Sequence, residues 1–282
     1  MIYYLSFLNT NAFKKNPIKI LIRAITLSLL ILLKKKKIIK YNFGNKNIKF
    51  LFLPLKKFMG GRGIFLYREE IEPLLNYGYK FINLGDTVLD GGANQGIYTL
   101  SFSKKVGKNG KVISFEPFEY CVSQIKYNSK LNNLSNIKII NKCLYNKNTN
   151  LKIDYSDGIG SASIIKNFGN QKKEVQTITI DTVKKKLNLK KIKLIKLDIE
   201  GAELKALMGA KNVLKYDKPI LSVECEPKEF IQISKFLSKY NYISYLLNEY
   251  GDLVQISKTK KKEPCVIFIP NITKFKLNMI KK

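Results

Sequence analysis

The segment from Thr87 to Phe102 has a pattern that is compatible with few structures other than a strand, a tight turn and a helix. An apolar run, Thr87–Asp90, ends in a carboxylate and is followed at once by the glycine-rich segment Gly91–Gly96. A helical pattern then opens at Ile97–Phe102. Small residues let the backbone approach a ligand, and a helix N-terminus would face it. The segment therefore predicts a pocket for a nucleotide-type ligand, although glycine-rich turns also occur as plain connections.

The pattern after Thr87 predicts the fold class. Apolar runs of strand length occur at Thr87–Asp90, Lys111–Glu116, Ile137–Asn141, Leu194–Asp198, Ile220–Glu224, Tyr242–Leu247 and Cys265–Ile269. Helical segments near residues 97–106, 118–132, 179–189 and 203–215 separate the first five runs. This alternation is typical of an α/β protein with a parallel sheet and helices on both faces. The last two runs are joined without a helix, so we expect a hairpin that adds one antiparallel strand.

The first 82 residues differ and predict an N-terminal extension. The apolar run Ile18–Leu33 has a narrow polar stripe, and lysines flank it within residues 14–37. It is too short to span a bilayer, so it predicts either an interfacial helix on an anionic cytoplasmic leaflet or a helix packed on the domain or a partner. Two strands, Ile48–Leu53 and Gly63–Tyr67, are predicted around a turn at Gly60-Gly61, and a helical segment follows at Glu69–Phe81.

These patterns give expected boundaries and a location. We expect a basic, apolar helix within residues 1–45, a hairpin and helix within 46–82, the α/β domain within 83–272 and a basic tail at 273–282. We expect a cytoplasmic protein that is peripheral on a membrane if the interfacial hypothesis holds.

The residue types that are absent exclude several kinds of chemistry. The chain has no histidine, which excludes serine–histidine and cysteine–histidine hydrolases and any histidine-ligated zinc. The four cysteines are widely spaced and form no C-x-x-C pair, so neither a metal site nor a redox motif is predicted. Acid–base work would fall to Asp, Glu, Lys or Tyr.

The net charge of +30 raises the hypothesis of a nucleic-acid partner. Nearly all of the basic residues are lysines, and only three arginines occur. Arginine is the preferred reader of bases and phosphates, and a chain rich in Lys, Asn and Ile is typical of an AT-rich genome. We therefore interpret the charge mainly as codon bias, with attraction to anionic surfaces as a consequence.

Acidic residues stand where the predicted strands end. Asp90, Glu116, Asp198 and Glu224 each end a run, and Asp198 is followed by Glu200 and Glu203. In an open parallel sheet, ligands bind outside the carboxyl ends of the strands. Glu116 lies twenty residues past Gly96, a distance at which an acid can bind both hydroxyls of a ribose.

Two of these acids, and the ligand itself, have more than one interpretation. Glu200 and Glu203 fit a ligand site and the first turn of a helix equally well. Asp90 would repel a pyrophosphate and attract a sulfonium or ammonium group, so S-adenosylmethionine fits better than NAD. An NAD-linked oxidoreductase and an RNA methyltransferase or RNA-binding module remain as alternatives.

For Lys196 and for the loop Asp157–Ser163, a purely structural interpretation stands beside the functional one. Lys196 is expected to reach solvent at the margin of the sheet rather than to take part in chemistry. The small-residue loop Asp157–Ser163 is interpreted equally as part of an acceptor site or as a flexible connection.

Four motifs together resemble the FkbM family of S-adenosylmethionine-dependent methyltransferases. They are Asp90–Gly96, Phe115-Glu116-Pro117, Ile178–Asp181 and Ile195–Glu203, in matching order between about Gly60 and Ile269. The K-x-D-x-E-G-x-E block is the most specific of them. The chain departs from the family at Gly91, where Val or Ile is usual, and this adds flexibility without removing a ligand contact. The resemblance implies a class I methyltransferase sheet, S-adenosylmethionine as cofactor, and O-methylation of a hydroxyl on a sugar, glycan or lipid-linked acceptor.

The resemblance also implies roles for individual residues. Asp90 and the turn residues Gly92, Ala93, Asn94 and Gly96 would hold the methionine part of the cofactor, and Glu116 would bind its ribose. Residues 141–144, Cys143 among them, would lie near the adenine. Asp198, Glu200 or Glu224 would accept the proton of the acceptor hydroxyl, and the sequence does not rank these three.

Overall fold

The computed structural model describes residues 10–54, 60–155, 162–163, 171–259 and 263–271. In these ranges the strands are β1 (Lys37–Phe43), β2 (Lys46–Phe52), β3 (Thr87–Gly91), β4 (Lys111–Phe115), β5 (Ile137–Ile140), β6 (Cys143–Leu144), β7 (Asn150–Tyr155), β8 (Ala162–Ser163), β9 (Gln171–Ile178), β10 (Ile192–Leu197), β11 (Ile220–Cys225), β12 (Tyr242–Leu247), β13 (Leu253–Gln255) and β14 (Glu263–Pro270). The α-helices are α1 (Asn11–Lys15), α2 (Pro17–Leu32), α3 (Gly60–Tyr67), α4 (Pro73–Tyr77), α5 (Ile97–Val106), α6 (Glu119–Leu131), α7 (Ile180–Lys186), α8 (Glu203–Met208) and α9 (Pro227–Ser238).

The central sheet has eight strands in the order β13-β12-β14-β11-β10-β3-β4-β5. Strands β5, β4, β3, β10 and β11 pair in parallel. Strand β14 lies between β11 and β12 and is antiparallel to both. This order, with β14 reversed next to the fifth parallel strand, confirms the predicted class I methyltransferase sheet. A second reversed strand, β13, pairs antiparallel with β12 and was not predicted. The predicted hairpin is confirmed as well, because β14 returns beside β12.

Both faces of the sheet are buried because its strands are apolar on both sides. Val88, Val112 and Leu194 lie on one face and pack with the N-terminal extension and α5. Their neighbours Leu89 and Ile113 lie on the other face, in the core that also takes in α8 and α9. Side chains alternate between the faces along each strand, so a continuous apolar run is what a doubly covered strand requires.

The N-terminal extension packs on the first of these faces. β1 and β2 form an antiparallel hairpin that runs across residue 45. Asn128 of α6 and Asn132, the residue after its end, close the edge of β2. Asn128 accepts the N–H of Leu51 at 2.8 Å, and Asn132 accepts that of Lys49 at 2.8 Å. The hairpin is therefore fixed to the α/β domain by hydrogen bonds as well as by apolar packing.

The predicted strand at Gly63–Tyr67 is wrong, and so is the turn at Gly60-Gly61. These residues form the helix α3, whose Ile64 and Phe65 are both fully buried. Consecutive buried residues do not fit a strand with only one covered face, and tertiary packing overrides the β propensity of Ile and Phe here. Gly63 allows the close approach of Ile71, whose Cδ1 would lie 2.5 Å from a Cβ at that position.

Other elements also differ from the prediction, among them β1, which lies in the segment predicted as an N-terminal helix. The helix predicted at 203–215 ends at Met208, and Val213–Asp217 forms a π-turn. Helix α9 was not predicted, although its capping box of Glu226 and Glu229 was readable in the sequence. The four-stranded sheet β6-β9-β7-β8 was not predicted either, because its strands are short or rich in lysine and polar residues.

Helix α2 packs on α3 through one face only. Ile20 and Leu27 are buried, and Arg23 donates to the Leu66 carbonyl at 2.8 Å. Among the helices of the described ranges, none has both the length and the apolar character to cross a membrane.

Candidate cofactor and acceptor site

A cleft with a cavity volume of about 240 Å³ opens at the carboxyl ends of β3, β4, β10 and β11. Its polar lining comes from the two sides of the sheet centre: Gly92, Asn94 and Glu116 on the β3–β4 side, and Asp198, Glu200 and Glu224 on the β10–β11 side. The apolar lining consists of Pro117, Phe118, Cys143, Leu144, Ile153, Ile199 and Ala202. The cleft lies where ligands bind in open α/β sheets.

The turn after β3 brings its backbone against β10 and β4. Gly92 has a φ of +74°, and a Cβ on it would lie 1.9 Å from the Asp198 carbonyl oxygen. The N–H groups of Gly92 and Ala93 both donate to the Phe115 carbonyl, at 3.1 and 3.0 Å. Only glycine fits at position 92, because both the backbone angle and the missing side chain are required.

Glu116 is fixed by two backbone donors. Its carboxylate accepts the N–H of Asn94 at 2.8 Å and that of Phe118 at 2.9 Å. Burial raises the pKa of Glu116 to about 7, although these two hydrogen bonds oppose the shift. The Glu116 carboxyl therefore changes charge near neutral pH. Its carboxylate points to the turn between β3 and α5, where it meets the N–H of Asn94.

Asp90 is fully buried behind the turn. Thr99 donates to its Oδ2 at 2.6 Å, and Thr99 is itself within 2.8 Å of the Ser114 hydroxyl. The other oxygen, Oδ1, is buried without a hydrogen-bond partner in the described part of the chain. Burial raises the pKa of Asp90, and the charge of Lys196 and the Thr99 hydrogen bond oppose this shift.

Lys196 is not at the margin of the sheet, as the sequence suggested, but is buried in its centre. It stands on β10 in register with Asp90, and its Nζ lies 3.2 Å from Asp198 Oδ2 and 3.9 Å from Asp90 Oδ1. Burial alone would lower the pKa of Lys196, but the nearby carboxylates raise it, so the ammonium stays charged. One buried cation thus joins the carboxylates of the two sides of the cleft. A lysine inside an apolar strand was a readable signal for such partners.

A residue of the N-terminal extension reaches the same group of charges. Tyr98 donates to the Glu72 carboxylate, and the Lys196 ammonium lies 4.8 Å from the centre of the Tyr98 ring. Burial raises the pKa of Glu72, and the charge of Asp198 raises it further. Nothing in the sequence around Glu72 indicated this contact.

The β10–β11 side of the cleft carries three partly exposed acids. The carboxylates of Asp198, Glu200 and Glu224 lie within 4.8 Å of one another. Glu200 has a φ of +54°, which is unusual for a residue with a side chain and marks a constrained turn. The three groups can accept a proton from a hydroxyl, and they are close enough together to ligate a cation.

Glu203 is an acid of the first turn of a helix, which is one of the two interpretations that the sequence allowed. It lies in the first turn of α8, is almost fully buried, and accepts the N–H of Ile199 at 2.8 Å. Burial raises the pKa of Glu203 to about 7, although backbone hydrogen bonds oppose the shift, and its second oxygen has no hydrogen-bond partner in the described ranges. Glu203 therefore holds the Ile199–Gly201 turn and does not belong to the residues that line the cleft.

The structure brings most of the predicted site residues into one cleft. Gly92, Asn94, Glu116 and Cys143 line it together with all three predicted proton acceptors. Asp90, Ala93 and Gly96 are not part of the lining: Asp90 and Ala93 are buried, and Gly96 caps the start of α5 with a φ of +92°.

The residues that sequence patterns missed are mostly apolar. Phe118, Leu144 and Ile153 line the cleft, and Ile153 comes from the unpredicted sheet. Asn141, predicted near an adenine, donates to the Glu116 carbonyl at 2.7 Å. Gly91 lies between the side chains of Leu144 and Leu197, each 2.9 Å from where its Cβ would be, so bulky neighbours replace the usual branched residue and fill the space. The loop Asp157–Ser163 lies largely outside the described residues.

Comparisons with known proteins agree with this architecture. A family model described as the methyltransferase FkbM domain matches residues 90–250, which is more than half of the chain. A search of curated proteins gives no match.

Similar solved structures include three methyltransferases. The FkbM methyltransferase of Methylobacillus flagellatus KT shares 14% identity at a TM-score of 0.47, over 76% of this chain and 56% of that one. An S-adenosylmethionine-dependent O-methyltransferase of Thermotoga maritima shares 13% at 0.39, over 67% and 60%. Fibrillarin of Aeropyrum pernix, solved with natively bound S-adenosyl-L-methionine, shares 11% at 0.41, over 66% and 67%. The chain therefore spans little more than half of the first two of these proteins.

Proposed function

Because this chain belongs to the methyltransferase FkbM family, a family of S-adenosylmethionine-dependent methyltransferases, we propose that it O-methylates a hydroxyl of a sugar, glycan or lipid-linked acceptor. The observation that carries this proposal is the pairing in one cleft of a carboxylate suited to a ribose with three carboxylates suited to a proton. No histidine competes with them for the proton.

The residues on the β3–β4 side fit this cofactor. Gly92 leaves free the space that a side chain would fill, and Glu116 is a fixed carboxylate that can accept both ribose hydroxyls. Asp90 is buried behind the turn, and its Oδ1 accepts no hydrogen bond in the described ranges and lies 3.9 Å from the Lys196 ammonium. A carboxylate at this place favours a sulfonium over a pyrophosphate. Asn94 adds a polar side chain to the lining, and Cys143 and Leu144 provide an apolar surface for a base.

The residues on the β10–β11 side orient the acceptor and take its proton. When bound, S-adenosylmethionine supplies an electrophilic methyl group on sulfur. Methyl transfer to the acceptor hydroxyl would be an in-line displacement, and Asp198, Glu200 or Glu224 would take the hydroxyl proton. Such an in-line displacement needs little covalent help, so positioning supplies most of the rate. The Lys196 ammonium keeps Asp198 in place, 3.2 Å away.

The proposal includes a location. We take the protein to be cytoplasmic and peripheral on a membrane, where a lipid-linked acceptor would be found. The support for this is the basic N-terminal segment, which contains no Asp or Glu before Glu69.

Label transfer tests the proposed reaction. The full chain is incubated with methyl-labelled S-adenosylmethionine and with separated glycan, lipid, RNA and protein fractions of the host cell. We expect label in the glycan or lipid fraction, in a form that survives mild base, because a methyl ether does so and a methyl ester does not. Label that appears only in RNA would replace the proposal with the RNA methyltransferase alternative. Saturable cofactor binding with no label in any fraction would contradict catalysis.

A further inference from the structure

Helix α2 exposes a continuous apolar stripe. Its members are more than 45% exposed and are Ile18, Leu21, Ile22, Ile25, Leu29 and Leu32. At 100° per residue they fall within an arc of about 100°. Half of the fourteen large apolar residues that are exposed in the described ranges lie between Ile18 and Leu33. Singly exposed apolar residues are ordinary, but a concentration of this kind marks a contact surface.

The opposite face of α2 is already used by the protein itself. Ile20 and Leu27 are buried, and Arg23 is tied to the Leu66 carbonyl. The helix therefore lies on the domain by one side and presents its apolar stripe from a fixed position on the other. The sequence left open an interfacial helix and a helix packed on the domain. Both can hold at once, because they concern opposite faces of α2.

Exposed lysines stand at both ends of the stripe. Lys14, Lys15 and Lys19 are exposed near its start, and the run Lys34–Lys37 follows its end. No acidic residue occurs in the chain before Glu69, and of these lysines Lys15 lies 3.7 Å from the Glu249 carboxylate. An apolar stripe between basic ends matches the interface of an anionic bilayer, where acyl chains lie below a layer of negative headgroups.

The same charges argue against a second copy of the chain as the occupant. Two stripes packed antiparallel would bring Lys14 and Lys15 of one copy against Lys34–Lys37 of the other. Two stripes packed in parallel would bring each lysine group against itself. Either arrangement places like charges together, at a cost that an anionic surface does not have.

The geometry points to the exposed stripe of α2 and its flanking lysines as a docking surface for an anionic phospholipid membrane. This inference rests on the proposed peripheral location and names its surface, and it does not depend on the identity of the acceptor. The apolar residues enter the headgroup–acyl boundary while the lysines contact the headgroup phosphates. The domain behind α2 is thereby held at the surface where a lipid-linked hydroxyl would lie.

Vesicle binding by the full chain tests the inference. We expect binding to mixed vesicles of phosphatidylglycerol and phosphatidylcholine, and at least about tenfold weaker binding to phosphatidylcholine alone. The triple variant Leu21→Gln, Ile25→Gln, Leu29→Gln should bind the mixed vesicles at least about tenfold more weakly. Its control replaces three exposed apolar residues elsewhere, Leu84→Gln, Ile231→Gln and Val254→Gln, and should bind like the wild type.

A second pair of variants separates the lysines from net charge. Replacing Lys34–Lys37 with glutamine should weaken binding by about 100-fold at low salt, because each lysine near the surface contributes separately. The same change at the exposed residues Lys185, Lys186, Lys190 and Lys191 removes an equal charge and should have less than about a threefold effect.

Three outcomes would overturn the inference: equal losses in the matched variants, no binding of the wild type to either vesicle, or a dimer in solution that the triple variant dissociates. Binding of RNA through Lys34–Lys37 without vesicle binding would assign the lysines to a nucleic acid instead. Titration of each variant with S-adenosylmethionine shows whether its site is intact. Loss of vesicle binding with normal cofactor binding and label transfer leaves the proposed reaction standing, and the reverse result leaves the docking surface standing.

Discussion

Both sides of the cleft present carboxylates, but these carboxylates differ in their burial and in the contacts that fix them. On the β3–β4 side, Asp90 and Glu116 are buried, and Glu116 is fixed by two backbone N–H groups. On the β10–β11 side, Asp198, Glu200 and Glu224 are partly exposed to solvent. A fixed, desolvated carboxylate suits a ligand that never changes, and a solvated group of acids suits a variable acceptor. The difference supports our proposal that the β3–β4 side binds the cofactor and that the β10–β11 side serves the acceptor.

The two sides are joined by Lys196, whose loss should have the largest effect on the molecule. Lys196→Met removes the one cation, among the described residues, that forms an ion pair with the fully buried Asp90. We expect the free energy of unfolding to fall by about 3–5 kcal/mol, the range for breaking a buried pair. Urea unfolding measures this, with Lys196→Arg as a partial rescue and the exposed Lys191→Met as the control. Equal stability of the Lys196→Met and Lys191→Met variants would mean that the two sides are not coupled through this charge.

The two sides of the cleft approach each other closely at Gly92, and we expect a change at this residue to lower the affinity for S-adenosylmethionine. Gly92→Ala places a Cβ 1.9 Å from the Asp198 carbonyl oxygen, so the turn must move. We expect S-adenosylmethionine to bind at least about 100-fold more weakly, because a displaced turn no longer fits the ligand. Gly85→Ala is a matched control, since Gly85 also has a positive φ, +85°, but nothing lies within 4 Å of its Cβ. Calorimetric titration should separate the two variants, and similar affinities would refute a tight approach at Gly92.

Glu203, a buried acid on the β10–β11 side, tests the effect of burial on a carboxylate through the free energy of unfolding. Burial raises the pKa of Glu203 from 4.5 to about 7, so between these values the native state holds a proton that the unfolded state has released. The contribution of Glu203 to stability is therefore lost as the pH rises from 4.5 to about 7 and stays constant above. Glu203→Gln should gain about 1–3 kcal/mol relative to the wild type between about pH 5 and about pH 8. The exposed Glu119→Gln should show no such gain, and a gain of the same size there would rule out burial as the cause.

The solvated acids should have the smallest effect on cofactor binding. Glu200→Gln and Glu224→Gln change neither a buried charge nor a residue of the β3–β4 side. We expect each to bind S-adenosylmethionine within about threefold of the wild type while label transfer falls by at least about tenfold. A large loss of cofactor affinity in either variant would end the division of the cleft into two sides.

The sheet and the cofactor side were largely predictable, because their signals are local. The alternation of apolar strands and helices gave the order of elements, and the acids at Asp90 and Glu116 are separated from the turn by fixed spacings. The close packing of Gly91 against the side chains of Leu144 and Leu197 was not predictable, because these two residues come from distant parts of the chain.

What was missed depends on contacts between distant elements. Lys196 was placed at the sheet margin because its partners on β3 and its neighbour Tyr98 are remote in sequence. The contact of Glu72 with Tyr98 joins the extension to the domain and has no local signal. Helix α3 was predicted as a strand because Ile64 and Phe65 favour strands when isolated, whereas packing against Phe52 and Ile71 decides the outcome.

The most direct test of the cofactor side is a calorimetric titration of the full chain with S-adenosylmethionine and with NAD at two pH values. Burial raises the pKa of Glu116 to about 7, and its ionised form is the one that accepts ribose hydroxyls. We predict saturable binding of S-adenosylmethionine and none of NAD, with affinity increasing from about pH 6 to about pH 8. Glu116→Gln should bind about 10–100-fold more weakly without this pH dependence, while Glu119→Gln should match the wild type. Binding of NAD, or S-adenosylmethionine affinity that is unchanged in Glu116→Gln, would contradict the assignment of the cofactor to the cleft beside Asp90 and Glu116.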